Sequence, residues 1–295
     1  MKTLAIITPT FNRANYLQKA YLSLESQTKK DFVWYLIDDG SKDNTSEVVE
    51  NLIKKSSFKI IFKSKENGGK HTALNTAYDL IKEELTLILD SDDELLPNAV
   101  ETILNDYPQI KDNEKICGLG YLRCYKDLKI IGSPYTQDEI VDNFTNQRIN
   151  KNTYGDKCEV FKTNILKQYK FPEFSGENFL SESVVWCKIS LDYNMNFFNK
   201  AIYVCEYLEG GLSSNVHKRL FKNPLGAAEC YLSMSGTQTK FLKRLKYTIA
   251  YTVYSFAAKT KIKEQFKNIT SKFLYILGFI PSWIIYLHKK RKYKG

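Results

Sequence analysis

An acidic cluster, Asp90, Ser91 and Asp92, follows the apolar run 85–89 in the segment LILDSDDELLP. Carboxylates at the end of a buried strand are costly unless positive charge neutralises them. A divalent cation is one such partner: hard oxygen ligands suit Mn2+ or Mg2+, which keep other positions for water and substrate phosphates. An Asp at a strand-to-helix turn is also a common helix cap, so D-x-D alone leaves both readings open. Three more polar clusters share this setting: TPTFNR at 8–13, DDGSKDNT at 38–45 and ENGGKHTALNTA at 66–77. The glycines of NGGK permit close backbone approach to a ligand and Lys70 supplies a point charge, although NGG is equally a tight turn.

These clusters need elements to hold them. Residues 4–7 form a continuous apolar stretch ending at Thr8-Pro9, and Leu17, Ala20, Tyr21 and Leu24 then recur at helical spacing. The unit repeats. Residues 32–37 read as a strand, followed by Asn44 and Glu47 in capping-box spacing before Val48, Val49, Leu52 and Ile53. A third strand, 58–62, precedes a helix carrying Ala73, Leu74, Ala77 and Leu80, and a fourth, 85–89, precedes Pro97 at the expected first turn of another helix. On this pattern Asp93 and Glu94 are first-turn helix residues. Four such units in sequence predict a parallel sheet with helices on both faces, whose strand ends deliver all four clusters to one ligand-binding edge. Beyond residue 110 the pattern loosens, with strands expected at 116–125 and 202–206 and a helix at 183–191.

The opening strand with TPTFNR, then DDGSKDNT, ENGGKHTALNTA and LILDSDDELLP, in this order and spacing, resembles the family 2 glycosyltransferases with the GT-A fold. The resemblance covers about the first 105 residues strongly, and extends to FPEFSGENFLSESVVW (171–186) and CEYLEGGLSSN (205–215), similar to a bacterial subgroup acting in surface polysaccharide synthesis. It implies an α/β, Rossmann-like, mostly parallel sheet and an inverting, metal-dependent transfer of a hexosyl or N-acetylhexosaminyl group from a nucleotide-diphosphate sugar. It implies Thr8, Pro9, Thr10 and Arg13 against the nucleotide, and Asp39 on the base accepting a uracil imide N–H, which favours a UDP-sugar. Asn67, Gly68, Gly69 and Lys70 would line the sugar-phosphate side. Asp90 and Ser91 would face the ribose or sugar, and Asp92, with Asp90, the metal.

An inverting transfer needs a carboxylate to take the proton from the attacking acceptor hydroxyl. The family places an acidic residue at the head of a helix in its second half, which points to Glu182, with Glu177 and Glu173 as competitors. Many relatives carry Glu-Asp where this chain has Glu182-Ser183. Glu182 could instead only favour a helix N-terminus. Trp186 is a sugar platform or core, residues 209–215 a closing loop or a surface turn, and His217 a further metal ligand or an exposed side chain.

The net charge of +10 is unevenly spread: residues 216–295 hold 17 Lys or Arg against Glu229 and Glu264, a net of +15, leaving 26 basic and 31 acidic residues, −5, elsewhere. A basic tail on an acidic body argues for docking to an anionic surface and against a nucleic-acid groove. In that tail Lys and Arg are interleaved with apolar residues, at Phe241, Leu242, Leu245, Tyr247, Ile249, Tyr251, Val253 and Tyr254, and bracket the apolar run 273–287, as in helices lying in a headgroup layer. The run 273–287 is short for a membrane span. A buried helical pair with solvated lysines is the competing reading. Six cysteines without CxxC spacing and no secretory signal are expected of reduced thiols in the cytoplasm, peripheral on the inner face of the cell membrane. The expected division is a glycosyltransferase domain over 1–215, with nucleotide-sugar and acceptor halves meeting near 110, and a basic helical region over 216–295. A lipid-linked or other saccharide acceptor fits such a tail. A nucleotidyltransferase would need a Gly-rich Arg/Lys signature that TPTFNR lacks, and a non-catalytic sugar-nucleotide or polysaccharide-binding protein would lack Asp92 or a base.

Overall fold

A computed structural model describes residues 2–206, 216–236 and 238–293. The chain forms two compact units: Met1–Asn143 with Thr153–Lys170 and Asp192–Tyr207, and Phe144–Asn152 with Phe171–Leu191 and Leu208–Gly295. The two interleave along the chain, so the division differs from a single cut at 215. Segments 144–152 and 171–191 group with the C-terminal helices.

The first unit follows the expected alternation: β1 (Leu4–Thr10), α1 (Ala14–Glu25), β2 (Phe32–Asp38), α2 (Thr45–Lys55), β3 (Lys59–Ser64), α3 (Lys70–Leu80) and β4 (Leu85–Ile88). β1 pairs in parallel with β2 and β4, and β2 with β3. β1 and β2 are buried along their whole length, which explains why they read as continuous apolar runs rather than alternating ones. Asn44 makes no side-chain cap. Asp43 does that work instead, accepting from Thr45 N (3.1 Å) and Thr45 Oγ1 (2.6 Å), and from Ala14 N (3.2 Å) at the start of α1. One carboxylate thus closes the first turns of two helices.

After β4 come β5 (Glu94–Leu95), α4 (Ala99–Asp106), β6 (Ile116–Cys124), β7 (Glu139–Asp142), β8 (Lys157–Lys162), α5 (Thr163–Leu166) and β9 (Asn194–Val204). Among the described residues the sheet has nine strands in the order β3-β2-β1-β4-β8-β6-β9-β5, with β7 also on β9. β8 is antiparallel between β4 and β6, while β6 and β9 run parallel. β9 starts well before the expected residue 202. Its early part takes β7 and its end takes β5, so Glu94 is a strand residue paired with Val204 and not a first-turn helix residue.

The second unit is helical: a π-helical turn at Thr145–Asn150, α6 (Ser183–Ile189), α7 (Val216–Lys222), α8 (Pro224–Met234), α9 (Phe241–Ala257), α10 (Ile262–Asn268) and α11 (Lys272–Tyr293). The apolar residues of α9 do not all face outward as an interfacial helix requires. Tyr251, Val253 and Tyr254 are buried in a core with Leu220, Phe221, Ala227, Ala228, Ile269, Tyr275 and Tyr286, and Tyr231 stacks on Tyr254 with ring centroids 5.5 Å apart. No helix among the described residues is long and apolar enough to cross a membrane. All six cysteines are free and buried.

The antiparallel insertion rests on a backbone approach at Gly118, where an added Cβ would lie 2.1 Å from the Val160 carbonyl oxygen and 2.9 Å from Phe161 Cα. Both neighbours are backbone and cannot swing away. Gly118→Ala is expected to lower unfolding free energy by about 3 kcal/mol, the upper part of the overpacking range, as measured by urea denaturation; a loss below experimental error would mean that β8 shifts freely against β6.

Candidate active site

At the carboxyl end of β2, Asp39 is buried, with its side chain 4% exposed, and its two oxygens accept from four N–H groups. These are Lys65 Nζ (2.9 Å), Asn67 Nδ2 (3.1 Å), Gly68 N (2.9 Å) and Gly69 N (2.6 Å). A buried charge is tolerable only when its hydrogen-bonding capacity is met. The roughly four acceptor sites of a carboxylate are filled here, so Asp39 can receive another N–H only if one of the side-chain donors, Lys65 or Asn67, turns away. Gly69 has φ +95, and a Cβ at Gly40, itself at φ +80, would lie 2.9 Å from Asn67 N. Both positions therefore require glycine. Asp38, beside it, is occupied by Ser41 N and Ser64 Oγ (3.0 Å) and shapes the turn.

The loop anchored by Asp39 opens α3 at Lys70, whose Nζ lies 2.5 Å from Asp90 Oδ1 beyond the end of β4. Asp92 Oδ2 pairs with Arg13 NH1 at 3.2 Å. Four of the expected clusters thus meet at one sheet edge. Three residues join them that sequence reasoning did not assign to the site: Asp93, Arg123 on β6 and Tyr203 on β9. Arg123 NH1 lies 3.7 Å from Asp90 Oδ2 and 3.6 Å from Asp93 Oδ2, and its guanidinium sits 3.9 Å from the Tyr203 ring centroid. Its Nε donates to the Lys157 carbonyl at 2.8 Å, which fixes the side chain from the β8 side. The Tyr203 hydroxyl donates to Asp93 Oδ2 (3.0 Å) and accepts from Asp90 N (2.9 Å). The signal in the sequence was a lone Arg inside an otherwise apolar strand.

The carboxylates are driven apart electrostatically. Burial opposes ionisation of Asp90, but Lys70 and Arg123 outweigh it and hold this carboxyl below the usual range. Asp93 goes the other way: burial and the adjacent Asp90 charge push it up to about 6 despite Arg123. At the rim Lys19 bridges Glu94 (3.1 Å) and Glu206 (2.9 Å), and hydrogen bonds from Lys19 and Lys126 bring the Glu206 carboxyl down to about 2.

The remaining expected residues are distributed as follows. Thr8 is fully buried and its hydroxyl accepts from Trp34 Nε1 at 2.8 Å, which commits that side chain to β1–β2 packing. Pro9 and Ser91 are buried at strand ends, and Thr10 Oγ1 is buried with no hydrogen-bond partner among the described residues. In the second unit Glu182 stands at the N-cap of α6, half-buried, its carbonyl accepting from Val185 N and Trp186 N. Its competitor Glu177 is occupied, accepting from Leu225 N (2.8 Å) and Gly226 N (2.7 Å) at the first turn of α8. Glu173 is exposed. Trp186 is buried, with its ring 6.2 Å from Phe171, as a core residue. His217 is exposed on α7, and residues 209–215 lie outside the described residues.

No group of three or more His, Cys, Asp or Glu side chains among the described residues forms a protein-only metal cage. An Mg2+- or Mn2+-type site takes one or two carboxylates and completes its shell with substrate phosphates. Asp92, paired at the rim with Arg13, has the matching hard oxygens, and Asp90 is the second candidate beside it.

The raised Asp93 makes stability depend on pH. Below about pH 4 both folded and unfolded states carry its proton; between about 4 and 6 the unfolded state releases it first, so stability falls as pH rises. Asp93→Asn removes that loss. With EDTA present, the variant is expected to exceed the wild type by about 3 kcal/mol at pH 7 and to match it near pH 4 in urea denaturation. A pH-independent difference would contradict the assignment.

The chain matches the model of "Glycosyl transferase family 2" over residues 5–169. It is 28% identical over 242 residues to the GalNAc(5)-diNAcBac-PP-undecaprenol beta-1,3-glucosyltransferase of Campylobacter jejuni, covering 78% of this chain and 73% of that protein. Among solved structures, S. aureus TarS in complex with UDP-GlcNAc superposes with a TM-score of 0.62 at 20% identity, over 89% of this chain and 77% of the other. The mannosyltransferase PcManGT of Pyrobaculum calidifontis, in complex with GDP-Man and Mn2+, gives 0.56 at 14% identity, over 99% and 83%. The two structural likenesses establish the shared fold. The ordered clusters on the sheet edge and the family match over more than half of the sequence agree, and the chain belongs to glycosyl transferase family 2.

Proposed function

We propose that this glycosyltransferase moves a hexosyl or N-acetylhexosaminyl group from a UDP-sugar to a hydroxyl of a glycan or lipid-linked saccharide, with inversion at the anomeric carbon, in cell-surface polysaccharide synthesis at the cytoplasmic face of a membrane. The observation that carries this reading is the meeting of Arg13, the Asp39-anchored loop, Lys70, Asp90 and Asp92 at the carboxyl edge of β1, β2 and β4. Ligands of such sheets bind at that edge. Lys70 and Arg13 supply positive charge, and the N-terminus of α3 favours an anion.

In this reading Asn67, Gly69 and Lys70 line the diphosphate, Thr10, Pro9 and Arg13 the nucleoside, and Asp90 with Ser91 the hydroxyls of ribose or sugar. Asp39 accepts the uracil imide N–H at the expense of Lys65 or Asn67; its standing task is to hold the loop. Asp92 and, beside it, Asp90 would hold Mn2+ or Mg2+, which when bound would supply charge stabilisation for the departing diphosphate. Glu182 removes the acceptor proton as the acceptor oxygen bonds to the anomeric carbon, and the bond to the diphosphate oxygen breaks with its electron pair leaving on UDP. The occupation of Glu177 at α8 favours Glu182 for that task. The Campylobacter relative is named for a lipid-pyrophosphate-linked acceptor and TarS is recorded with UDP-GlcNAc, which support the acceptor and donor classes. The basic tail supports a membrane surface as partner.

The test is transfer and hydrolysis across UDP-, GDP- and dTDP-sugars with Mn2+ or chelator. One UDP-sugar is expected to turn over only with metal. Asp92→Asn should abolish turnover, and Glu182→Gln should lower kcat by about 10²–10⁴-fold with UDP affinity unchanged by calorimetry. UDP binding without turnover of any donor, with the acceptor class supplied, would make the chain a sugar-nucleotide binding protein, and a preference for GDP-sugars would overturn the donor assignment.

A further inference from the structure

Helix α11 has two faces of different character, and both are apolar. Tyr275, Gly278, Ser282 and Tyr286, at spacings of three and four, form its inner face. Gly278 lets α9 approach, since a Cβ there would lie 2.8 Å from Ile249 Cγ1, and Ser282 Oγ donates to the Ile249 carbonyl at 3.2 Å. The opposite face carries Phe273, Ile276, Leu277, Ile280, Ile284 and Leu287, also at helical spacing, with exposures of 66, 66, 50, 71, 61 and 38%. Every exposed residue of this helix between 273 and 287 is apolar. A contiguous apolar stripe of that kind on a folded surface marks an interaction site. A helix that merely covers a core would carry polar residues there.

Charge decides the occupant. The stripe is bracketed by Lys272 at one end and by Lys289, Lys290, Arg291 and Lys292 at the other, and α11 contains no acidic residue. On a helix of 100° per residue Arg291 continues the stripe, four residues beyond Leu287. A second copy would bring the same cations against themselves, whereas an anionic bilayer surface satisfies both the apolar stripe and the cations. The length agrees: 15 residues extend for about 22 Å, too short to cross a bilayer and sufficient to lie in its headgroup layer.

We propose that the outer face of α11, from Phe273 to Leu287, is the surface by which this chain docks in the headgroup layer of an anionic membrane, with the exposed Lys290, Arg291 and Lys292 on lipid phosphates. This deepens the membrane reading given above, and it removes most of α9 from that role, because Tyr251, Val253 and Tyr254 form the interior of the unit.

The experiment is cosedimentation of the full chain with phosphatidylcholine vesicles, with and without phosphatidylglycerol, beside I276E/I280E/I284E and K290Q/R291Q/K292Q. The substituted isoleucines are exposed, and circular dichroism with UDP calorimetry checks the fold and the donor site separately. The wild type is expected to bind the anionic vesicles at least tenfold more tightly than the neutral ones, and each variant to lose at least tenfold with UDP affinity unchanged. Trp34 and Trp186 are buried and Trp283 is 47% exposed at the margin of the stripe, so a blue shift of emission on vesicle binding reports its insertion. Wild-type binding that survives the triple substitution, the absence of binding to any vesicle, or self-association by sedimentation velocity that the triple substitution abolishes would each overturn the proposal. Loss of UDP binding in the wild type would instead overturn the donor reading and leave the docking result standing.

Discussion

A carboxylate buried at the end of β2 sets the geometry of this sheet edge. Asp39 cannot remain charged in its pocket without donors, and four N–H groups from Lys65, Asn67, Gly68 and Gly69 close on it. That closure needs two backbone positions only glycine adopts readily, Gly40 and Gly69, and it fixes where α3 begins. Lys70, the first residue of α3, then reaches Asp90, Arg123 reaches Asp90 and Asp93, and Tyr203 ties Asp93 to the Asp90 backbone. Alternating charges thus run from β2 to β9, and moving any one leaves a buried neighbour uncompensated, which costs more than the pair gains.

The same alternation divides labour among similar carboxylates. Asp90 lies between two cations and stays ionised, Asp93 shares its surroundings with Asp90 and is pushed towards the neutral form, and Asp92 pairs with Arg13 at the rim. In the proposed mechanism this leaves Asp92 as the oxygen donor most readily turned towards a metal and diphosphate, with Asp90 fixed for hydroxyl recognition. Environment, more than residue type, separates the roles.

The first four strands and their helices were legible because parallel strands buried on both faces read as apolar runs and amphipathic helices carry their own period. The clusters were legible because each follows such a strand. What local patterns could not show is pairing between distant segments. The insertion of β8 between β4 and β6, the early start of β9 and the strand character of Glu94 arise from long-range pairing. Arg123 and Tyr203 reach the site by that pairing, so no spacing rule connects them to Asp90. At the N-terminus of α2 the cap fell to Asp43 and not Asn44 because Asp43 also serves α1, a contact between segments 29 residues apart. In the tail, α9 and α11 are both rich in apolar and aromatic residues, but Gly278 and Ser282 select which face of α11 meets α9 and so which apolar residues are inside.

The central claim is that one carboxylate-assisted displacement at the anomeric carbon occurs on this scaffold, and its stereochemical outcome tests it most directly. The anomeric proton of the product formed from an α-linked UDP-sugar, read by NMR before any secondary isomerisation, is predicted to report a β-linkage. An α-linked product would contradict a single in-line displacement and with it the proposed role of Glu182.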